Sequence, residues 1–269
     1  MKKYKEIKIR TRLLIGFSVS ALIAGIIGYI GFSSLVRVTE SQNQIANVRL
    51  PGIQYLSQIE SNLERVQKAY FKLLSLNLSP EEREDINTEI NAYRTNYAKA
   101  NEAYKQLPKN EQEEKHYQLV METIQTWRDY NVSEVDRLNK EIMNFTGETI
   151  NNPEYQKLYE ELNTSIIKKG GMYHKQVMDE IKNLVDINLQ ISEAENIKAA
   201  QYAKSAEILV IIFIVIGIIV SITIGVYIAV NIQNIIASII EETKRLVQAA
   251  LDGKLETRGD PEKINFEFR

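Results

Sequence analysis

Residues 208–240 read ILVIIFIVIGIIVSITIGVYIAVNIQNIIASII and contain no charged side chain. A helix needs roughly 20 apolar residues to cross a hydrocarbon core of about 30 Å, so this stretch predicts a membrane span over 208–230. Residues 13–36, LLIGFSVSALIAGIIGYIGFSSLV, are equally free of charge and predict a first span. Almost everything between the two is polar and rich in Glu, Lys, Asn and Gln. The averages, 44% hydrophobic with 33 Lys+Arg against 35 Asp+Glu, would suit a soluble domain, but the segregation of the apolar residues overrides them. With only 5 prolines, 12 glycines and few alternating β-branched runs, the expected fold class is all-α.

Residues 1–12, MKKYKEIKIRTR, carry Lys2, Lys3, Lys5, Lys8, Arg10 and Arg12 against Glu6 alone. By the positive-inside rule the N-terminus is cytoplasmic, residues 37–207 are extracellular or periplasmic, and the tail 231–269 returns inside. The first apolar stretch is longer than the roughly 7 to 15 residues of a cleaved signal core and reads as a retained anchor. Small residues recur at every fourth position, Gly16, Ser20, Ala24 and Gly28 in the first span and Gly217, Ser221, Gly225 and Ala229 in the second. Such stripes let helix backbones approach closely in a membrane.

The middle region has helical periodicity. Leu56, Ile59, Leu63, Val66, Tyr70 and Leu73 step by three and four, preceded by Ile45 and Val48 before Pro51-Gly52. Ser79-Pro80-Glu81-Glu82 is a capping box that starts a second helix, with its seam at Ile86, Ile90, Tyr93, Tyr97, Ala100, Tyr104 and Leu107. A third helix carries Tyr117, Val120, Ile124 and Trp127, then Leu138, Ile142 and Phe145, and ends at Gly147. The fourth begins near Pro153 with Leu158, Leu162 and Ile166. It meets Gly170-Gly171, read as a kink or loosened turn, and continues through Val177, Ile181, Leu184, Ile187, Ile191, Ala194 and Ile197. Short connections predict an up-down-up-down four-helix bundle. At about 1.5 Å per residue the third and fourth helices both reach about 75 to 80 Å from the membrane, above the 77–80 turn at about 60 Å.

After the second span, Ile236, Ile239, Thr243, Leu246 and Ala250 form another seam, ended by Leu251-Asp252-Gly253, where glycine suits a helix C-terminus. The run AALDGKLETRGDPEKINFEFR, residues 249–269, resembles the first helix end and connector of a HAMP domain of methyl-accepting chemotaxis proteins. RTRLLIGF at 10–17 and RLPGIQYLSQIESNLERVQKAY at 49–70 resemble the start of that family's four-helix-bundle ligand-sensing domain. One departure is that Ile239 takes the place of the proline usual early in the first HAMP helix. The resemblance implies the division 1–12 cytoplasmic, 13–36 first span, 37–207 sensor bundle, 208–230 second span, and 231–269 partial HAMP domain. Ending at most about one turn into the second HAMP helix, the chain is expected to be the sensing and transmitting half of a receptor without an output module.

No catalytic constellation is visible, and neither GxSxG, HExxH nor a phosphate-cradling glycine loop occurs, so no enzyme and no cofactor are expected. The absence of cysteine removes disulfides, thiolate zinc sites and a cysteine nucleophile. The near balance of charge, without a basic stripe, argues against nucleic acid. His116 and His174 fall at different heights and read as surface histidines rather than metal ligands. Arg65, Arg94, Trp127, Arg128 and Tyr173, with His174, all fall between about 38 and 50 Å from the membrane. Arginine forks with flat aromatic walls at one level could bind a small anion or amino-acid-like ligand, or Trp127 could be core and the arginines paired with nearby acids. An alternative ligand region is the far tip, Gly147 to Pro153.

The function expected is that of a transmembrane chemoreceptor, detecting a small molecule or partner outside and relaying it through HAMP. Its expected partners are a second copy in a homodimer, membrane lipid, and a cytoplasmic chemotaxis kinase with its coupling protein, reached through the missing output domain. The input half of a sensor histidine kinase, or a truncated membrane adaptor without output, uses the same parts.

Overall fold

The computed structural model describes residues 8–76, 78–145 and 152–260, and all regular structure among them is helical. Seven α-helices follow in order: α1 Ile9–Gln44, α2 Leu50–Lys72, α3 Pro80–Lys105, α4 Glu111–Tyr130, α5 Asp136–Met143, α6 Pro153–Thr164 and α7 Gly171–Leu251. Three π-turns, Ile45–Arg49, Asn131–Val135 and Ser165–Gly170, join α1 to α2, α4 to α5 and α6 to α7 without breaking the helix. The chain therefore forms four long helical runs. It divides into two compact units, one of residues 39–199 and one of residues 1–38 with 200–269.

In the 39–199 unit the seam of α2 and the residue that follows it enter the core: Leu56, Ile59, Leu63, Val66, Tyr70 and Leu73 are all at most 1% exposed. They pack with Ile86, Ile90, Tyr97, Ala100 and Tyr104 of α3, and with the buried seams of the other two runs. The Ser79–Glu82 capping box forms as the sequence reads, and two asparagine caps join it. Ser79 Oγ accepts from Glu82 N at 3.1 Å while Glu82 Oε2 accepts from Ser79 N at 2.7 Å. Asn110 caps α4 through Glu113 N at 2.8 Å, and Asn152 caps α6 through Glu154 N at 2.8 Å. Such caps satisfy amides that the first turn leaves without helical partners.

The π-turns explain where the apolar seams depart from expectation. Each widened turn changes the phase of the residues that follow. Asn131 and Val135 are buried and carry the seam of the third run from Trp127 to Leu138, a step missing from the sequence pattern. Ahead of Pro51, Val48 is only half-buried, and Arg49 and Gly52 take the inward positions. Pro51 lacks an N–H to donate to the preceding turn, and the widened π-turn Ile45–Arg49 lies directly ahead of it. The loosened turn at Gly170-Gly171 is the end of the third π-turn. A Cβ on Gly170 would stand 2.9 Å from the Ser165 carbonyl oxygen, so backbone rather than side chain fills that space. Beyond Ile187 the expected seam fails: Ala194 is exposed and Ile197 is 51% exposed, while Asn188 and Ala199 are buried. At the α2/α3 turn, Tyr159 reaches the Leu74 carbonyl and Asn139 reaches Arg83, yet α5 continues to Met143 and α6 starts at Pro153. The α5/α6 end thus extends past the α2/α3 turn. The expected tip residues 146–151 lie outside the described residues.

In the other unit α1 and α7 run antiparallel. Arg12 donates to Asn231 Oδ1 at 3.4 Å, Ser20 and Ser221 hydroxyls meet at 3.2 Å, and Ser34 donates to the Tyr202 carbonyl at 3.1 Å. The two runs holding these segments are long and apolar enough to cross a membrane, and Leu22, Phe32, Ile211, Ile219 and Ile222 face outward from the pair. Half of each small-residue stripe makes the contact. A Cβ on Gly16 would lie 2.9 Å from Ile224 Cγ2 and one on Gly217 3.0 Å from Ile23 Cγ2, whereas Gly28 and Gly225 face open space.

Helix α7 ends at Leu251, and Gly253 takes φ +77°, the left-handed conformation that glycine adopts freely. The connector then folds back: buried Glu242 accepts from Asp260 N at 2.7 Å and from Arg245 Nε at 2.9 Å, and Arg245 Nη2 donates to Arg258 O at 2.9 Å. Leu255, the apolar residue of the connector, is 77% exposed. The second HAMP helix, of which the sequence is expected to hold about one turn at most before Arg269, falls outside the described residues.

Candidate functional site

Three polar constellations interrupt the apolar core of the 39–199 unit. The first is at the Ile45–Arg49 end. Arg49 on the π-turn is ion-paired with Glu113 in the first turn of α4, and Tyr104 on α3 donates to the same carboxylate at 2.9 Å. Asn188 on α7 donates to the Tyr104 hydroxyl at 3.2 Å, while its Oδ1 lies 3.5 Å from Arg49 Nη1. Arg49 Nη2 also donates to the Pro108 carbonyl at 3.4 Å. All four residues are at most 6% exposed. Burial, with Glu113 adding, pushes the Tyr104 phenol well above its ordinary range, so it stays a neutral donor. One network thus touches all four helical runs, with the charges matched inside it.

The second lies at mid-bundle, the level expected for ligand contacts. Trp127 is 2% exposed and belongs to the core, with its ring 5.3 Å from that of His174. Its Nε1, and Nε2 of buried Gln67, have no hydrogen-bond partner. His174 is largely buried rather than superficial, and its Nε2 is 3.6 Å from Glu64 Oε1, beyond hydrogen-bond reach. Burial lowers the His174 pKa, with Glu64 acting in the opposite direction. Arg94 donates to the Tyr70 hydroxyl at 2.6 Å and pairs with Asp136 at 3.5 Å, while Tyr70 donates to Asp136 at 3.0 Å. Arg65 stacks over Tyr93 at 5.7 Å and lines two shallow grooves on α2, one with Leu50, Ser57 and Ser61 and one with Asn96 and Lys99. Tyr173 packs on Tyr130 at 5.3 Å, and Arg128 is exposed. The structure therefore pairs Trp127 with His174 but spreads Arg65, Arg94, Arg128 and Tyr173 over separate contacts.

The third is at the α2/α3 turn. Arg83 is 1% exposed; its Nη1 donates to Asn139 Oδ1 at 2.9 Å and to the Leu73 carbonyl at 3.3 Å. Burial lowers its pKa from the ordinary value, opposed by the neighbouring Tyr155.

Neither end constellation is visible in a search for apolar periodicity, yet both were encoded. Arg83 sits three residues before Ile86 and Glu113 four before Tyr117, so each extends a seam by one inward step. Among the described residues no group of three or more His, Asp or Glu could hold a metal ion. The chain matches, over residues 6–203, the family described as a four helix bundle sensory module for signal transduction. Comparison with curated proteins and with solved structures gives no match.

Proposed function

The chain belongs to the family of four-helix-bundle sensory modules for signal transduction, and from that premise we propose that it is the sensing and transmitting part of a transmembrane chemoreceptor. Its up-down-up-down bundle is extracellular or periplasmic, its N-terminus is cytoplasmic, and the tail after 230 is the opening of a HAMP relay toward a chemotaxis kinase and its coupling protein. The observation that supports this reading most is continuity. A single helical run, Pro153–Leu251, includes core residues Val177, Ile181 and Leu184, the uncharged stretch 208–230, and the tail. A small displacement of that run at the core is carried along its length, since packed interfaces switch between discrete arrangements.

The receptor works as a homodimer. On the tail, Ile236, Ile240, Val247 and Leu251 are each about half exposed or more and step by four and seven, a seam that shares Ile236 with the expected one and then runs one position past Ile239, Leu246 and Ala250. An apolar stripe of this spacing is buried by a second copy.

The test uses the hydrogen bond between Ser41 and Glu195, 3.1 Å, which joins the first and last runs. The chain is fused ahead of a chemoreceptor output domain, with Ser41→Cys and Glu195→Cys introduced together. Oxidation should change kinase output and reductant should restore it. Unchanged output at full crosslinking contradicts the relay.

A further inference from the structure

We propose that residues 1–12 are an anchor for anionic lipid headgroups, held at the membrane surface where α1 begins. The segment carries Lys2, Lys3, Lys5, Lys8, Arg10 and Arg12 against Glu6 alone, and the uncharged stretch 13–36 follows without a spacer. Helix α1 starts at Ile9, so about 6 Å of it stands ahead of the apolar stretch, in the headgroup layer. The cations are thereby confined within reach of one surface. A basic cluster next to a span is drawn to anionic lipid, each Lys or Arg adding about fivefold to the affinity. The segment adjoins the membrane directly, which makes a lipid surface, rather than a soluble acidic partner, its occupant.

The basic side chains divide between protein and lipid. Arg12 is half-buried and donates to Asn231 Oδ1 on α7. Lys8 and Arg10 are exposed, and among the described residues their side chains have no hydrogen-bond or ion-pair partner. Arg10 lies on the helix face that continues through Leu14 and Phe17, which are 56% and 72% exposed and look away from α7. An arginine at the foot of a lipid-facing stripe lays its stem along apolar surface and keeps its head among polar groups, where the phosphates lie. Helix α7 offers nothing comparable at this level. Asn231, Gln233 and Asn234 are uncharged, and the first charges beyond them, Glu241 and Glu242, come about 16 Å past residue 230 and have the wrong sign. The headgroup contact at this face of the membrane therefore belongs to α1, and the Arg12–Asn231 bond is where the anchored helix meets the one that enters the tail.

The inference rests on the sensory reading only for placing the segment at the cytoplasmic leaflet. Nanodiscs present the same lipid on both faces, so binding is read whichever side the segment occupies. The chain has no cysteine, and a spin label on Tyr4→Cys reports this segment alone. The full chain is reconstituted in discs of phosphatidylcholine with increasing shares of phosphatidylglycerol, and label mobility and access to a water-soluble relaxant are recorded. The label should be mobile and accessible in pure phosphatidylcholine, and immobilised and shielded as phosphatidylglycerol rises. High salt should reverse this, because screening confines charge attraction to about 3 Å at molar salt. Replacing Lys2, Lys3, Lys5 and Lys8 together by Gln should weaken the lipid response by about a hundredfold or more, and replacing them by Arg should preserve it. Arg10→Gln alone should weaken it about fivefold. A label equally immobile in both lipids, or a response unchanged by the Gln substitutions, overturns the anchor. Immobilisation in phosphatidylcholine by dissolved glycerol phosphate, as strong as by phosphatidylglycerol, overturns the lipid surface in favour of a free anion. Should the Gln variant fail to insert, the lipid and salt series on the labelled chain with its lysines intact decide the matter. A kinase response to the 41–195 crosslink alongside a segment indifferent to lipid would retire the anchor and leave the sensory reading standing.

Discussion

Arg49 and Glu113 form an ion pair with only 7% and 2% of their side-chain surfaces exposed. The pair ties the π-turn at the end of α1 to the first turn of α4, and Tyr104 and Asn188 add hydrogen bonds to it from α3 and α7. Desolvating two charges is repaid only when such additional partners are in place. The arrangement fixes the mutual register of the four runs at this end.

Removing one partner should therefore cost far more than removing both. Arg49→Met or Glu113→Leu alone should destabilise the bundle by about 3 to 5 kcal/mol, leaving a buried charge unpaired, while the double substitution should be closer to neutral. Denaturant unfolding of the four variants of this cycle measures the coupling. Additive single effects would show that the pair does not act as a unit.

His174 should make stability fall on mild acidification. Its folded pKa lies below the ordinary 6.5 because burial disfavours the imidazolium. Between the two values the unfolded chain binds more protons, so stability is full above about pH 6.5 and declines as pH drops through the window below it. Unfolding temperatures of the unmodified chain and His174→Gln, compared from pH 7.5 to 5.5, should converge as pH falls. Parallel curves would mean that His174 titrates as freely folded as unfolded.

Most of the fold was legible because apolar residues report the inward face of a helix directly. The α2 seam from Leu56 to Leu73, the Ser79–Glu82 cap and the helix end before Gly253 all appear where periodicity and capping chemistry place them. What escaped was whatever changes phase without changing composition. A π-turn has no distinctive residue content, so apolar periodicity passes over Asn131 and Val135 and favours Val48 over Arg49. The same bias hid the polar core, since Arg49, Arg83, Glu113 and Asn188 occupy seam positions with side chains that periodicity counts as surface. Equal height likewise grouped Arg65, Arg94 and Arg128, although rotation about the helix axes sends them to an aromatic face, to Asp136 and to the exterior.

The glycine stripes should be sensitive at one half only. Gly16→Leu and Gly217→Leu force Ile224 and Ile23 to move and should part α1 from α7, whereas Gly28→Leu and Gly225→Leu meet open space within the chain. Disulfide formation between Ser20→Cys and Ser221→Cys, introduced where the two hydroxyls now meet, reads the separation. It should slow with Leu at 16 or 217 and persist with Leu at 28. Equal slowing at both kinds of position would place the contact elsewhere.

The Ser79 cap should carry a modest, local share of stability. Ser79→Ala removes the acceptor of Glu82 N and should cost about 1 kcal/mol, while Ser79→Asp should retain most of it. Thermal unfolding of the two variants distinguishes a lost cap from a lost surface hydroxyl.

The central claim, an exterior sensor whose last helix enters a cytoplasmic relay, is tested most directly by sidedness. The chain has no cysteine, so single substitutions at exposed Lys99 on α3 and Lys254 in the connector give clean reporters. In intact cells a membrane-impermeant maleimide should label Lys99→Cys at once and Lys254→Cys only after permeabilisation. Labelling of both from the same side, or of position 254 alone from outside, would contradict the account.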